Sequence, residues 1–366
     1  MASENLTESK LTVSAESKPQ IKLFHPVLKD LLYLEKYCNY KIAFLSIENP
    51  LPVLYKKFTQ LIPNYLIGLH LRREYRHLIM GIKGLKAKNC DVLFIFEAYN
   101  QHLLLLLPML LLTNKRILIM LHGNQQFAIK SKIKYWGLLY LKTFLLISQK
   151  FQVLLLELDD DILPDKVRLP NNSKIIIPLP IVEELTPSLS LGERVNTQKI
   201  KIGIVGIIRS DKPIAKLIEK IQDYLKTNAN AELIIGTPLK QKPDYLDKLN
   251  LTLRDTTTES DYFKTLQEID ILITHYDRDR YYYRASGVIS DAGSAGCYII
   301  ASDYPVIKQQ ISYPVPIGDT FNDFTEIEAK IDQAIAFIQQ QGQDNHWQWR
   351  EKRTAKAIAE TIFAKN

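Results

Sequence analysis

Residues 201–213 place a glycine and two cations directly after an apolar run. The run reaches Gly206, and Arg209 and Lys212 follow three residues apart, just before an amphipathic helical pattern that begins at Pro213. A turn that leads from a strand into the start of a helix is where open α/β sheets bind their ligands. An arginine and a lysine in such a turn suit a diphosphate, because one offers a planar fork and the other a compact charge. The alternative is a surface turn with two solvated cations, and the Gly-x-Gly-x-x-Gly spacing of dinucleotide sites is missing.

A second polar stretch follows the apolar run 269–274 and is crowded with arginine, aspartate and tyrosine. Within it, Ser286 and Gly287 can begin a helix whose free N–H groups point at an anion, with Arg284 just ahead. Asp291 comes about one turn later, where its carboxylate can accept hydrogen bonds from sugar hydroxyls. The alternative is an ordinary capped helix between two strands, but the neighbouring charges favour a ligand site.

These two stretches, in this order, resemble the C-terminal domain of the GT-B glycosyltransferases, in particular the group 1 enzymes that use nucleotide-sugar donors. In that family a Gly-x-x-Arg-x-x-Lys turn holds the donor diphosphate, which corresponds here to Gly206, Arg209 and Lys212. A later block of the family contacts the diphosphate and the ribose. The residues that match this block are Ser286, Gly287, Asp291, Ala292, Gly296 and Ser302.

The chain departs from the family pattern at two places. Many members carry a Glu-x7-Glu pair across the later block, and the two positions here are Tyr283 and Asp291. Tyr283 cannot supply the first carboxylate, which the family associates with the donor sugar in retaining enzymes. The stereochemical outcome therefore stays open. Tyr298 also replaces a usual proline, a change that concerns packing.

The front half of the chain offers candidates for acceptor binding and proton transfer. His122 follows the apolar run 116–121 and occupies the place where many enzymes of the family have a histidine beside the donor sugar. Glu97 follows the run 91–96 and is a candidate general base if the reaction inverts configuration. The alternatives are a histidine that caps a turn and a carboxylate that pairs with a nearby cation. His25 is a weaker candidate.

Short β-rich runs alternate with helical patterns along the whole chain, which is typical of parallel sheets covered by helices on both faces. We expect strands at 41–47, 91–96, 116–121, 151–156, 174–177, 199–205, 232–235, 251–253, 269–274 and 298–301. We expect helices near 65–80, 102–112, 127–148, 212–226, 260–268, 288–295, 325–341 and 345–364. With the resemblance, this predicts an α/β protein of two Rossmann-like domains that face a central cleft, the GT-B architecture.

The expected domain boundaries follow composition. A disordered tail (1–20) precedes an acceptor-binding domain (21–180), and a polar linker (181–198) leads to a nucleotide-sugar-binding domain (199–344). A last helix (345–366) can pack back on the N-terminal domain.

Charge is distributed unevenly over the 366 residues, which carry a net +7. Residues 54–156 hold 15 Lys and Arg against 3 Asp and Glu, so this stretch is strongly basic and the remainder is acidic. Cations interleaved with aromatic residues and leucines there indicate either a solvated surface or an anionic membrane surface as partner. No nucleic-acid motif accompanies the charge, and we expect no nucleic-acid partner.

The remaining features concern the compartment. The longest apolar run, 103–112, has ten residues and contains a proline, whereas a membrane span needs about 20. The polar start of the chain lacks the pattern of a signal peptide, and the three cysteines are far apart. We therefore expect a cytoplasmic protein that can contact the inner face of the membrane peripherally.

The sequence predicts a metal-independent glycosyltransferase without a cofactor, which moves a sugar from a nucleotide-diphosphate donor to an acceptor. A glycan, a glycolipid or lipid-linked molecule, and a polysaccharide precursor are the candidate acceptors. Two alternatives stay open: a GT-B-like nucleotide-sugar epimerase, and a catalytically silent GT-B-like protein that docks at membranes or partners.

Overall fold

The computed structural model describes residues 30–46, 51–183, 185, 199–208, 214–341 and 344–364. Arg209, Lys212 and His25 lie outside the described residues, as do the expected tail and most of the expected linker. The described chain forms two parallel sheets covered by helices, which confirms the predicted fold class. We call the part up to residue 183 the front domain and the part from residue 199 the back domain.

The front sheet has five parallel strands that lie side by side in chain order. They are β1 (Ile42–Leu45), β2 (Val92–Ile95), β3 (Arg116–Met120), β4 (Phe151–Leu156) and β5 (Lys174–Ile177). The three central strands are buried almost throughout because helices cover both faces, which is why they appear in the sequence as continuous apolar runs. All five expected strands of this half are confirmed, with shifts of a few residues at their ends.

The helices of the front domain are more broken than the sequence predicts. The α-helices are α1 (Val53–Leu61), α2 (Tyr65–Lys86), α3 (Leu106–Leu111), α4 (Asn124–Lys130) and α5 (Lys132–Ile147), and short 3-10 helices span Asp30–Tyr37, Asn100–His102, Asp160–Ile162, Asp165–Val167 and Asn171–Ser173. The single helix expected near 127–148 is two helices, because the extended backbone at Ser131 starts α5 and its hydroxyl accepts from the Lys134 N–H. The helix expected at 102–112 shortens to α3, which places Pro108 in a first turn, where proline is tolerated.

The back sheet has six parallel strands in the order β8-β7-β6-β9-β10-β11. They are β6 (Ile200–Val205), β7 (Ala231–Thr237), β8 (Thr252–Asp255), β9 (Ile271–Thr274), β10 (Tyr298–Ser302) and β11 (Gly318–Phe321). The direction of strand addition reverses between β6 and β9, and such a switch point leaves a crevice at the carboxyl ends of the strands. The sequence analysis missed β11, since Phe321 is the one buried residue in this edge strand and no apolar run marks it.

The helices of the back domain are α6 (Ala215–Thr227), α7 (Glu259–Glu268), α8 (Arg278–Tyr281), α9 (Gly287–Ala295), α10 (Pro305–Ser312), α11 (Ile327–Gln341), α12 (Asp344–Glu351) and α13 (Ala355–Phe363), with 3-10 helices at Leu239–Gln241, Asp244–Lys248 and Phe324–Glu326. The single helix expected over 345–364 is two helices. Thr354 has extended backbone and its hydroxyl accepts from the Ala357 N–H, so it begins a new helix. No helix in the described ranges is long and apolar enough to cross a membrane.

The last two helices connect the domains. Trp349 of α12 is fully buried against Gly293 of α9, where a Cβ would lie 2.9 Å from the indole ring. Ile358 of α13 instead packs in the core of the front domain. Between them, the buried Arg353 makes a two-pronged ion pair with Glu157, the residue after β4. A buried ion pair therefore lies where the chain crosses from the back domain to the front domain.

Candidate functional site

A cavity of about 350 Å³ opens beside the carboxyl ends of β2 and β3, where the front domain meets the loop that precedes α9. Its walls are formed by Arg73, Glu97, Ala98, Tyr99, Asn100, Gln101, His122, Asn124, Phe127, Lys134 and Arg284. Three residues that the sequence singled out, Glu97, His122 and Arg284, thus line one cavity. We call this cavity the cleft. Arg284 is the back-domain residue among those that line it.

His122 stands two residues beyond β3, and its ring is oriented by a backbone carbonyl. The Nε2 atom lies 2.9 Å from the carbonyl oxygen of Phe96, which can only accept, so Nε2 carries the hydrogen. The lone pair of the neutral ring is then on Nδ1. Gly123 follows with φ 74°, and a Cβ there would lie 3.1 Å from the Tyr283 carbonyl oxygen of the back domain. A glycine therefore lets the two domains approach closely next to His122.

The cleft is electropositive. Arg73 from α2, Lys134 from α5 and Arg284 line it against a single carboxylate, that of Glu97. Aromatic rings support two of the cations: the Arg73 guanidinium lies 4.7 Å from the centre of Tyr99, and the Lys134 ammonium lies 4.5 Å from that of Phe127. Burial, together with the charge of Arg73, lowers the pKa of Lys134. An anionic ligand would relieve this repulsion.

The sequence analysis missed Arg73 and Lys134 as cleft residues. Both lie within helices and do not directly follow a strand in the sequence, and neither belongs to a local motif. The signal that was present is the basic composition of residues 54–156, which says how many cations there are but not which of them face the cleft.

Polar side chains fix the loop that carries Glu97. Asn124 Nδ2 donates to the Ala98 carbonyl and to Asn100 Oδ1, and Asn100 Nδ2 donates back to the Asn124 carbonyl. On the other side, His77 Nδ1 donates to the Arg73 carbonyl, and its Nε2 accepts from the Tyr99 N–H. Burial lowers the pKa of His77 to about 4, so the ring is neutral and can make both bonds at once.

No protein-family model matches the sequence, and no curated protein matches it. Among solved structures, the chain is similar to TarM, with 15% identity and a TM-score of 0.54 over 80% of this chain and 57% of that one. It is similar to the sucrose-phosphate synthase of Thermosynechococcus elongatus, with 14% identity and a TM-score of 0.57 over 79% of this chain and 76% of that one. A UDP-forming trehalose-phosphate synthase from Burkholderia vietnamiensis aligns at 8% identity and a TM-score of 0.57, over 85% and 82% of the two chains.

These structures are GT-B proteins. The chain has the GT-B fold. It spans little more than half the length of TarM, and at these identities the likeness concerns the fold alone.

The side-chain amide of Gln126 holds the segment that leads into α9 against the front domain. Gln126 Nε2 donates to the carbonyls of Arg278 and Asp279, and its Oε1 accepts from the Tyr283 N–H at 3.0 Å. The Tyr283 ring is 5% exposed and packs in the front core, with its hydroxyl donating to the Leu158 carbonyl at 3.0 Å. The residue at the position of the family's first carboxylate is thus a contact between the domains.

Ser286 is the N-cap of α9, and Gly287 is the first residue of the helix. Gln310 of α10 clamps the Ser286 backbone, accepting from its N–H and donating to its carbonyl. The Ser286 hydroxyl pairs with the Tyr276 hydroxyl at 2.6 Å inside the domain. The start of α9 is therefore rigidly placed beside Arg284.

Asp291 lies in the interior of the back domain and not in the cleft. Its side chain is fully buried, and Oδ2 accepts a hydrogen bond of 2.7 Å from the Tyr262 hydroxyl. Burial raises the pKa of the carboxyl to about 8. The ribose contact expected for Asp291 stays a prediction, and Tyr262 is the partner that a ribose hydroxyl would have to replace or supplement.

Gly206 directly follows β6 at the switch point of the back sheet, with φ 118°, and donates from its N–H to the Gly236 carbonyl. At the same sheet edge, His275, which follows β9, places Nδ1 2.9 Å from the hydroxyl of Ser302, the last residue of β10. In the described part of the chain, no group of three or more His, Cys, Asp or Glu side chains is arranged to hold a metal ion.

Proposed function

We propose that the protein transfers a glycosyl group from a nucleotide-diphosphate sugar to an acceptor bound by the front domain. The observation that carries this proposal is that Glu97, His122 and Arg284, from two domains of a GT-B fold, line one electropositive cleft. The names of the similar structures support it: two are sugar-phosphate synthases, and another TarM structure was solved with UDP and a GlcNAc-glycerol compound.

In this proposal the donor lies on the back domain. Its diphosphate faces Arg284 and the N-terminus of α9, and Arg209 and Lys212, which follow Gly206 in the sequence, are the further cations that the resemblance assigns to it. Cations and backbone N–H groups aimed at the diphosphate stabilise the negative charge that develops as it leaves, which permits transfer without a metal ion. Closure of the two domains over the cleft limits hydrolysis of the donor by water.

The acceptor lies on the front domain. Its hydroxyl oxygen forms a bond to the anomeric carbon, and the bond from that carbon to the diphosphate breaks, with the electron pair leaving on the diphosphate. In an inverting reaction Glu97 takes the hydroxyl proton, and His122 hydrogen-bonds the donor sugar. The anomeric configuration of the product distinguishes this route from a retaining one.

Thermal unfolding of the protein with a panel of nucleotide sugars tests the donor half directly, because a bound ligand stabilises the folded state by mass action. Turnover of the best ligand is then followed with and without a lipid extract. Transfer to the extract supports the proposal, isomerisation of the donor identifies an epimerase, and neither product identifies a silent GT-B-like protein.

A further inference from the structure

The front domain exposes an unusual amount of apolar surface. Of the 26 large apolar side chains that are exposed in the described residues, 17 lie between residues 53 and 147, and four lie between residues 214 and 364. Single exposed apolar residues are normal, whereas a contiguous group of them marks an interaction surface.

Helix α1 carries its apolar residues on the outside. Leu54 and Leu61 are each 81% exposed and Phe58 is 60% exposed, and their spacing of four and three residues puts them on one face of the helix. The residue of α1 that is buried is Thr59. An ordinary surface helix has the opposite arrangement, with its apolar face against the core.

The inner side of α1 is held on α2 by polar and close backbone contacts. The Tyr55 hydroxyl donates to the Leu71 carbonyl, and Arg72 donates to the Thr59 hydroxyl. Gly68 of α2 lets the helices touch, since a Cβ there would lie 2.3 Å from the Thr59 carbonyl oxygen. These contacts with α2 fix the orientation of α1, and its apolar residues therefore point outward.

Helices α2 and α5 also expose apolar residues, next to side chains that line the cleft. In α2, Ile67 and Leu71 are exposed and lie within two turns of Arg73, which lines the cleft. In α5, Ile133 and Trp136 are 64% and 69% exposed, and Lys134 between them lines the same cleft. We call the exposed apolar residues of α1, α2 and α5 the apolar face; they are Leu54, Phe58, Leu61, Leu66, Ile67, Leu71, Ile133 and Trp136.

Charge decides which partner suits this face. Lys56 and Lys57 of α1 and Lys132 of α5 are exposed among the apolar residues, and the sequence has no acidic residue between Glu97 and Glu157. A second copy of the chain would bring the same cations to the same face, and like charges would repel. An anionic lipid surface instead complements both the cations and the apolar side chains.

We propose that the front domain docks on an anionic bilayer through the apolar face, with α1 and the first turns of α2 and α5 lying in the lipid interface. The cleft then opens beside the membrane, because Arg73 and Lys134 line it next to the docked residues. An acceptor carried by a lipid reaches Glu97 and His122 without leaving the bilayer. This last step rests on the proposed glycosyl transfer, whereas docking itself does not.

The test is sedimentation of the full-length protein with vesicles, without donor. Vesicles of phosphatidylcholine alone are compared with vesicles that also contain phosphatidylglycerol, at low and high salt. We expect binding to the anionic vesicles that fades with salt, since exposed charges are screened. Equal recovery in every supernatant would overturn the proposal.

Two tryptophans provide a matched pair of variants. Trp136 of the apolar face is 69% exposed and Trp347 of α12 in the back domain is 48% exposed. Trp136→Ser should weaken binding to anionic vesicles about tenfold or more, since a buried aromatic side chain contributes at least that much, while Trp347→Ser should bind like the parent. Equal binding of the two variants would overturn the assignment of the face.

A fluorescence measurement keeps the proposal falsifiable if a variant folds poorly. In Trp347→Phe the remaining tryptophans are Trp136 and the fully buried Trp349. Brominated lipids in the anionic vesicles should quench the Trp136 emission, and unchanged emission would overturn the proposal. The oligomeric state provides a further check. If the protein forms a dimer in solution, does not bind vesicles, and dissociates when Leu54→Ser and Phe58→Ser are combined, the proposal is overturned, because a second copy would then cover the apolar face.

The same samples separate docking from catalysis. Vesicle binding without stabilisation by any nucleotide sugar would contradict the proposed function and support the docking face. Stabilisation by a nucleotide sugar without vesicle binding would overturn the docking face alone.

Discussion

Arg284 is the side chain whose role the cleft defines most sharply, because it is the cation that the back domain contributes to the lining. Arg284→Ala should raise the dissociation constant for a nucleoside diphosphate about tenfold or more, since a hydrogen bond to a charged group is worth about 1.5–3 kcal/mol. Isothermal titration measures the change. Arg254→Ala is the matched control, because Arg254 lies on the edge strand β8 and pairs with Glu268. Equal affinity in Arg284→Ala and the parent would remove Arg284 from the donor site.

Glu97 and His122 face the same cleft, and the pH dependence of kcat tests the role of Glu97. If Glu97 is the general base, Glu97→Gln should lower kcat by about 10²–10⁴ and abolish the acidic limb of the kcat profile, because the amide cannot take a proton. Nucleotide affinity should stay within about twofold of the parent value, since Gln keeps the shape of Glu. A variant that keeps its kcat and its acidic limb would show that Glu97 only shapes the cleft.

Sequence reasoning at the residue scale found the strand-end residues and missed what depends on packing. Glu97 and His122 could be predicted because the carboxyl ends of parallel strands converge at one sheet edge. The interior position of Asp291 could not, because it depends on Tyr262, a partner 29 residues away on another helix. The place of Arg73 in the cleft could not be predicted either, because it depends on how α2 packs against the rest of the front domain.

At the scale of elements, the segment between β9 and α9 is a further contact between the domains, and Tyr283 anchors it in the front core. Tyr283→Phe should cost about 1 kcal/mol of unfolding free energy through loss of the bond to the Leu158 carbonyl. Tyr283→Glu, which restores the family's carboxylate, should cost several times more, because the side chain lies in the front core. Denaturant unfolding measures both changes. A Tyr283→Glu protein as stable as Tyr283→Phe would show that the ring position is not a buried contact.

Element boundaries show which signals the sequence carries. Eight of the ten expected strands contain an apolar run of three residues or more, and a strand is present at each of the ten places. The breaks at Ser131 and Thr354 could have been found from N-cap chemistry alone, because each hydroxyl residue precedes a new helix. Strand β11 could not have been found in this way, because its place at the sheet edge depends on its pairing with β10. Gly318 permits that pairing, since a Cβ there would lie 2.1 Å from the Ile299 carbonyl oxygen.

At the scale of the whole molecule, buried titratable groups make stability depend on pH in two opposite ways. Burial raises the pKa of Asp291 to about 8, so its contribution is fully present below the unfolded value of 3.8 and is lost as pH rises through 8. Burial lowers the pKa of His77 and of His346 to about 4, so their contributions are present above the unfolded value of 6.5 and are lost as pH falls through 4.

These three groups together predict a maximum of stability near pH 6.5. Above it the two histidines of the unfolded chain lose their remaining protons and Asp291 sets the slope, so the free energy of unfolding should fall by about 1 kcal/mol in total between pH 6.5 and 8. Below it the two histidines outweigh Asp291, and stability should fall again toward pH 4. Denaturant unfolding at pH 5, 6.5 and 8 measures both limbs. Asp291→Asn cannot ionise and its amide oxygen can still accept from Tyr262, so this variant should keep the acid limb and lose the decline between pH 6.5 and 8. If the decline persisted in Asp291→Asn, another group would be responsible for it, and the buried carboxyl would not be the proton-binding site that the fold creates.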